Sequence, residues 1–141
     1  MIKIFNVDPI GKPRMTQRDK WLNPPRQCVE RYWAFKDALN RQKEDFELPE
    51  NGAHIIFCMP MPKSWSKKKR REMDRQPHKQ RPDVDNLYKA FYDSLYGEDS
   101  QFWDARVTKV WGEFGQISVV IKPTREQLEK LVEVIRESLR P

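Results

Sequence analysis

Three aspartates and a lysine in the stretch RPDVDNLYKAFYDSLYGEDSQFWDARV have the types and spacing for metal-assisted phosphate chemistry. Asp83 and Asp85 form a DxD pair, Lys89 lies four residues after the second, and Asp104 follows later. Carboxylates gathered at one point repel each other unless a cation compensates them or some take up protons. Mg²⁺ takes hard oxygen ligands of this kind and keeps several waters, one of which becomes a nucleophile when the ion also holds a phosphate oxygen. The same residues also have a plainer use. An aspartate at a helix N-cap and another in the first turn suit the unpaired N–H groups and the positive end of the dipole. Asp85 and Lys89 share a helical face, where an ordinary ion pair is worth roughly a few tenths of a kcal/mol. Local structure alone therefore accounts for the DxD pair, and the chemistry depends on what surrounds it.

Two basic segments surround it in sequence. Between Pro62 and Pro82 there are nine Lys or Arg and two acidic residues, a net +7 where the whole chain carries +6. The rest of the chain is thus slightly acidic, and the positive charge is local, as in a protein that presents one electropositive surface to a polyanion. Lys67, Lys68, Lys69, Arg70, Arg71, Lys79 and Arg81 are the candidates for phosphate contacts; a solvated lysine-rich loop is the bland alternative. The loop Gly11 to Trp21 adds Lys12 and Arg14, with Arg18 and Lys20, and is useful only if the fold sets it beside the first patch. Trp65 either wedges into opened DNA or anchors its own loop.

The elements that must position these groups follow from periodicity. Ile2 to Val7 alternates as a strand, with Lys3, Phe5 and Val7 on one side. Pro24 and Pro25 introduce a helix whose apolar face runs through Cys28, Tyr32, Phe35 and Leu39, widened by Val29 and Trp33. Arg41 to Gly52 is polar and ends in an Asn51-Gly52 turn, and His54 to Met59 is a buried strand. The basic loop 62–82 is flexible or weakly helical from Ser66 to Arg75. Asp83 to Tyr96 is a helix with Leu87, Phe91 and Leu95 stacked at four-residue steps, closed by Gly97. Arg106 to Phe114 and Gln116 to Ile121 form a hairpin about Gly115. A last helix over 124–139 opens with Thr124 and Gln127 as a capping box and has an apolar face of Leu128, Leu131, Ile135 and Leu139, expected to dock on the body of its own chain, with a partner-binding helix as the alternative. The order gives an α/β (α+β) fold, one compact domain over 1–141 with a mixed β-sheet and packed helices.

A short return after the Asp83 helix would bring Asp104 back toward the helix start, which spacing permits without requiring. Asn86, beside Asp85, is a supporting polar group. Asp93 is a helix-surface or supporting residue, and Glu98 and Asp99 face solvent. Several classes fall away. Cys28 and Cys58 are far apart and read as buried free thiols, and with His54 and His78 they offer no zinc-ligand spacing. The start of the chain has no long apolar stretch of a secretion signal, and no run approaches the roughly 20 apolar residues of a membrane span. A cytoplasmic protein is expected.

At PKSWSKKKR from Pro62, HKQRPDVDNLYKAFYDSL from His78 and WDARV from Trp103, with a fainter proline-rich basic match at Gly11 to Arg14, the sequence resembles the RusA family of Holliday-junction resolvases, often carried by prophages. The ordered combination is far more specific than DxD alone. The resemblance implies a magnesium-dependent endodeoxyribonuclease that works as a homodimer on four-way DNA junctions and leaves 5′-phosphate and 3′-hydroxyl ends. It assigns the acidic site to Asp83, Asp85 and Asp104, with Mg²⁺ as the cofactor, and the helix lysine to Lys89. The pattern departs at Trp103, where the family commonly has a second aspartate beside the one matching Asp104. Two rival expectations stand beside it: a nucleic-acid-binding protein without catalysis, whose carboxylates only cap a helix, and a broader metal-dependent DNA nuclease.

Overall fold

The computed structural model describes residues 1–98, 100–122 and 125–140. Asp99, Pro123 and Thr124 lie outside the described residues, and with them the capping box expected for the last helix. The sheet is mixed, with four strands. β1 (Ile2–Phe5), β2 (Asn51–Pro60), β3 (Asp104–Gly112) and β4 (Gln116–Ile121) stand in the order β1-β4-β2-β3. β2 is the interior strand, parallel to β3 on one side and antiparallel to β4 on the other. Its long apolar run suits that place, since an interior strand has neighbours on both edges.

The expected hairpin of β3 and β4 does not form. β2 lies between them, so the short link through Phe114 and Gly115 carries the chain across the end of β2. The reason is directional. A helical connection leads from β2 to β3 and leaves the two parallel, and the next strand finds its antiparallel partner on the free edge of β2.

Two helices pack together against one face of this sheet: α1 (Gln27–Lys43), which also meets β1, and α3 (Val84–Tyr96), which also meets β3. The inward row of β2, Ala53, Ile55, Phe57 and Met59, is buried, as are Phe5, Ile117, Val119 and Trp111 from the other strands. Phe91 of α3 sits at the centre, edge-on to Phe5 and Phe57 at centroid distances of 5.6 and 6.1 Å. The face of α1 differs from the expected one by a fraction of a turn: Val29, Tyr32, Phe35 and Leu39 are buried, while Cys28 and Trp33 are exposed. Val29 is β-branched and wholly apolar, and it takes the core position that the smaller thiol leaves. Cys58 is half-buried, and burial pushes its thiol pKa up. The segment after α1 is less polar in space than in sequence, because Phe46 and Leu48 turn into the core and the Leu48 N–H donates to Tyr96 Oη at 2.9 Å.

The basic segment holds a short helix, α2 (Lys67–Met73). Ser66 caps it, its Oγ accepting from the Lys69 N–H at 3.2 Å. Trp65 is an anchor here: its ring stands 4.8 Å from Trp111 and Lys69 Nζ lies 4.3 Å above it. The last helix, α4 (Arg125–Ser138), does not dock as expected. None of its described residues is buried, and it makes no substantial contact with another described element. Its apolar residues form a narrow stripe between charges, too slender to compete for the wide core face that α1 and α3 already cover.

Candidate active site

Asp83 is the N-cap of α3 and Asp85 lies in its first turn, where the sequence puts them; Gly97 ends the helix in the left-handed region at φ 78°. The Asp83 backbone serves the helix, its carbonyl accepting from the Leu87 N–H at 3.0 Å, but its side chain makes no capping bond. Helix capping therefore does not account for the carboxylate. Among the described residues neither Asp83 nor Asp85 accepts a side-chain hydrogen bond or joins an ion pair, and Asp85 and Lys89 are not bonded to each other. All three side chains are exposed.

The loop after β1 does come to this helix start. Pro9, Ile10 and Gly11 line an open groove of about 580 Å³ with Arg81, Pro82, Asp83 and Asn86. The approach is so close that a Cβ on Gly11 would fall 2.4 Å from Asn86 Nδ2 and 3.0 Å from the Pro82 Cβ, so any larger residue there must displace Asn86. Lys12, next in the loop, donates to Asp93 Oδ2 at 2.6 Å, so the loop is tied to α3 a further two turns along. Lys12 thus holds the loop as well as adding charge, and Asp93 is its partner on the helix surface. Arg14 is exposed, and its carbonyl accepts from the Arg26 guanidinium at 2.8 Å. Behind this loop, Arg26 also clamps Asp19, holding that carboxyl well below the usual carboxylate range.

A residue that sequence reasoning missed pins the other side of the groove. Lys109 lies in the inward row of β3 and reaches the turn before α3, where its ammonium donates to the carbonyl oxygens of Gln80 and, at 2.8 Å, Pro82. Those carbonyls immediately precede Asp83, so Lys109 fixes how the chain enters the helix. A lysine in a strand row otherwise made of Ala105, Val107 and Trp111 was the available signal: a charge on that side needs a polar partner within the fold. The same turn is bound to the edge of β3 by backbone bonds from Arg75 N–H to Trp111 O at 2.8 Å and His78 N–H to Lys109 O at 3.1 Å. His78 is 5% exposed, its ring 4.3 Å from Trp111. Burial, with the charge of Lys109, lowers its pKa and keeps it neutral.

Asp104 opens β3, opposite Asn51 of β2. It lies five residues before Lys109, about 16 Å along a strand. Just before it, the Phe102 ring meets Tyr92 at 4.3 Å and Tyr96 at 5.2 Å, both in the second half of α3. The chain thus enters β3 from beside the second half of α3. Among the described residues no group of three or more His, Cys, Asp or Glu side chains could hold one metal ion. Asp83 and Asp85 are thus the pair that the fold presents together. Their hard carboxylate oxygens fit Mg²⁺, which takes one or two carboxylates and completes its shell with water and substrate phosphate.

Of the basic side chains, Arg81 lines the same groove as Asp83. Lys67, Lys68, Arg71, Lys79 and Arg81 are exposed and join no ion pair among the described residues, while Arg70 donates to Pro62 O at 2.9 Å and shapes the turn into α2. No described helix is long and apolar enough to cross a membrane. Compared with known proteins, the sequence matches no curated protein. It matches the family described as Endodeoxyribonuclease RusA over residues 6–122, from the end of β1 through β4. With its loop, helix start and strands β2, β3 and β4 inside that match, the chain belongs to the RusA family of endodeoxyribonucleases.

Proposed function

We propose that this chain is a Mg²⁺-dependent, structure-selective endonuclease that resolves four-way DNA junctions by paired phosphodiester hydrolysis, acting as a homodimer. The observation that carries this is the state of the DxD pair: two exposed carboxylates at a helix start, the first lining an open groove, and neither in a side-chain cap or an ion pair. When bound, Mg²⁺ would polarise a phosphate and make a bound water more acidic. Asp83 and Asp85 would hold it. Asn86, pressed against Gly11, keeps the groove floor in place, and Lys109 fixes the direction of Asp83. Lys89, one turn beyond Asp85, offers an ammonium to charge developing on the phosphate oxygens. Phosphates flanking the reacting one meet Arg81, Lys79 and the exposed face of α2, with Arg14 on the opposite wall; neutralising several of them makes binding strongly dependent on salt. Asp104 is the third family-matched carboxylate and would join the pair in holding the ion.

The test is cleavage of a four-way junction beside a linear duplex and a flap of the same sequences. Symmetrical nicks that require Mg²⁺ are expected on the junction. Asp85→Asn should lower the rate by more than about 100-fold, beyond the 10–100-fold usual for losing a partner in the outer shell of a metal site. Asp83→Asn should act alike. Undiminished junction binding with no cleavage under any divalent metal would leave a binding protein, and equal rates on all three DNAs would leave a general nuclease.

A further inference from the structure

α4 follows the family-matched region, which ends at residue 122, and none of its described residues is buried. Its apolar side chains are nevertheless spaced for contact. Leu128, Val132, Ile135 and Leu139 recur at steps of four, three and four residues, the seam of a two-helix coiled coil. Exposures of 46%, 46%, 49% and 77% show that the seam is bare. Leu131, 55% exposed, widens it on one side.

The charges beside the seam choose among occupants. From Arg125 to Ser138 there are three basic and four acidic residues, so this helix has no net attraction for DNA or an anionic lipid surface. Glu129 and Arg136 each follow a seam residue on the same edge. In an antiparallel pair related by a twofold axis, these edges face each other, and Glu129 of each helix meets Arg136 of the other. In a parallel pair that edge faces Leu131 and Ser138, with no charge to match. The present partner of Glu129 is Arg125 on the same helix, at 3.3 Å between largely exposed groups, a contact of little worth that a second helix can replace.

We propose that α4 is a self-association element: its seam packs antiparallel against the α4 of a second copy of this chain, with Glu129 and Arg136 forming reciprocal ion pairs. Fourteen residues span about 21 Å, and helices of this length are marginal alone. The pairing therefore closes between copies already held by another contact, and to that extent it rests on the homodimer put forward above.

Cross-linking of the full chain tests the geometry directly. Val132→Cys and Ile135→Cys variants are made separately in a Cys28→Ser background, mixed in equal amounts and mildly oxidised, with mass measured by light scattering on the same samples. The antiparallel pair predicts a disulfide between the two different variants in the mixture and little linking of either alone. Glu129→Arg should lower the yield several-fold, and adding Arg136→Glu to it should restore the yield. A dimer without the mixed link overturns the α4 pairing and leaves the homodimer standing. A monomer without it overturns both. Self-linking of each variant alone overturns the antiparallel arrangement, and docking of α4 on the exposed sheet residues Ile2 and Ile4 would also leave the mixed link absent.

Discussion

α3 and α4 are of similar length and both carry an apolar stripe at helical spacing, yet one lies at the centre of the protein and the other buries none of its described residues. In α3 the stripe is wide: Leu87, Ala90, Phe91, Tyr92 and Leu95 are buried, and the charges are confined to its start and one outer line. In α4 seven of the fourteen residues are charged and the apolar ones make a narrow seam. A wide face can be covered only by a sheet or several helices, whereas a narrow seam fits a single facing helix. Periodicity announces an apolar face, and its width says what kind of surface covers it.

The largest test of this contrast is a matched pair of truncations. Phe91→Ala removes a ring with no exposed surface and should cost about 3–5 kcal/mol in urea unfolding. Ile135→Ala, measured at a concentration where copies separate, should change stability by less than about 0.5 kcal/mol, as surface substitutions do. A cost at Ile135 comparable with that at Phe91 would mean that α4 docks on its own body after all.

The contrast also marks how far the sequence was legible. Asp83 at the cap, the helix from Val84 to Tyr96 and Gly97 closing it are local facts, written in neighbouring residues. The strand residues were equally plain, but not their partners, because alternation in Val107–Lys109–Trp111 is the same whether β3 pairs with β4 or with β2. The place of Asp104 relative to Asp83 was not legible for the same reason: it depends on the direction in which a strand returns along a helix. The apolar rows of the sheet could be read one strand at a time; the close approach of Gly11 to Asn86 joins two distant segments and had no local mark.

A smaller effect separates a pinned start from an open one. Lys109→Met leaves the Gln80 and Pro82 carbonyls without their donor and should cost on the order of 1 kcal/mol, since these groups are only partly buried. Its larger consequence should be a fall in cleavage at unchanged junction affinity, with partial recovery in Lys109→Arg, because the substitution frees Asp83 without removing a DNA contact. Lys67→Met is the control on exposed α2: it should leave stability alone and reduce the slope of log affinity against log salt by about 0.9. Equal behaviour of the two variants would remove the positioning role of Lys109.

The smallest expected effect concerns the turn that Lys109 holds. His78 is buried against Trp111 with Nδ1 lacking a partner, and burial together with the Lys109 charge lowers its pKa from 6.5. The unfolded chain therefore takes up a proton near pH 6.5 while the folded chain still refuses it, and stability falls as pH drops through that window. It is complete above the unfolded value and lost once the pH passes below the folded one. His54, bonded to Thr108 Oγ1 at 2.8 Å, is lowered in the same direction by burial and Arg106, so it adds to the slope. Asp19 acts in a separate range, because a carboxyl held low by Arg26 gives up its contribution only at pH values below the ordinary carboxylate range. His78→Phe keeps the ring on Trp111 and should flatten part of the decline in urea midpoint between pH 7.5 and 5.5, leaving the His54 share. An unchanged slope would mean that the imidazole protonates as easily in the folded chain as in the unfolded one, and that the turn before Asp83 is looser than its contacts with β3 require.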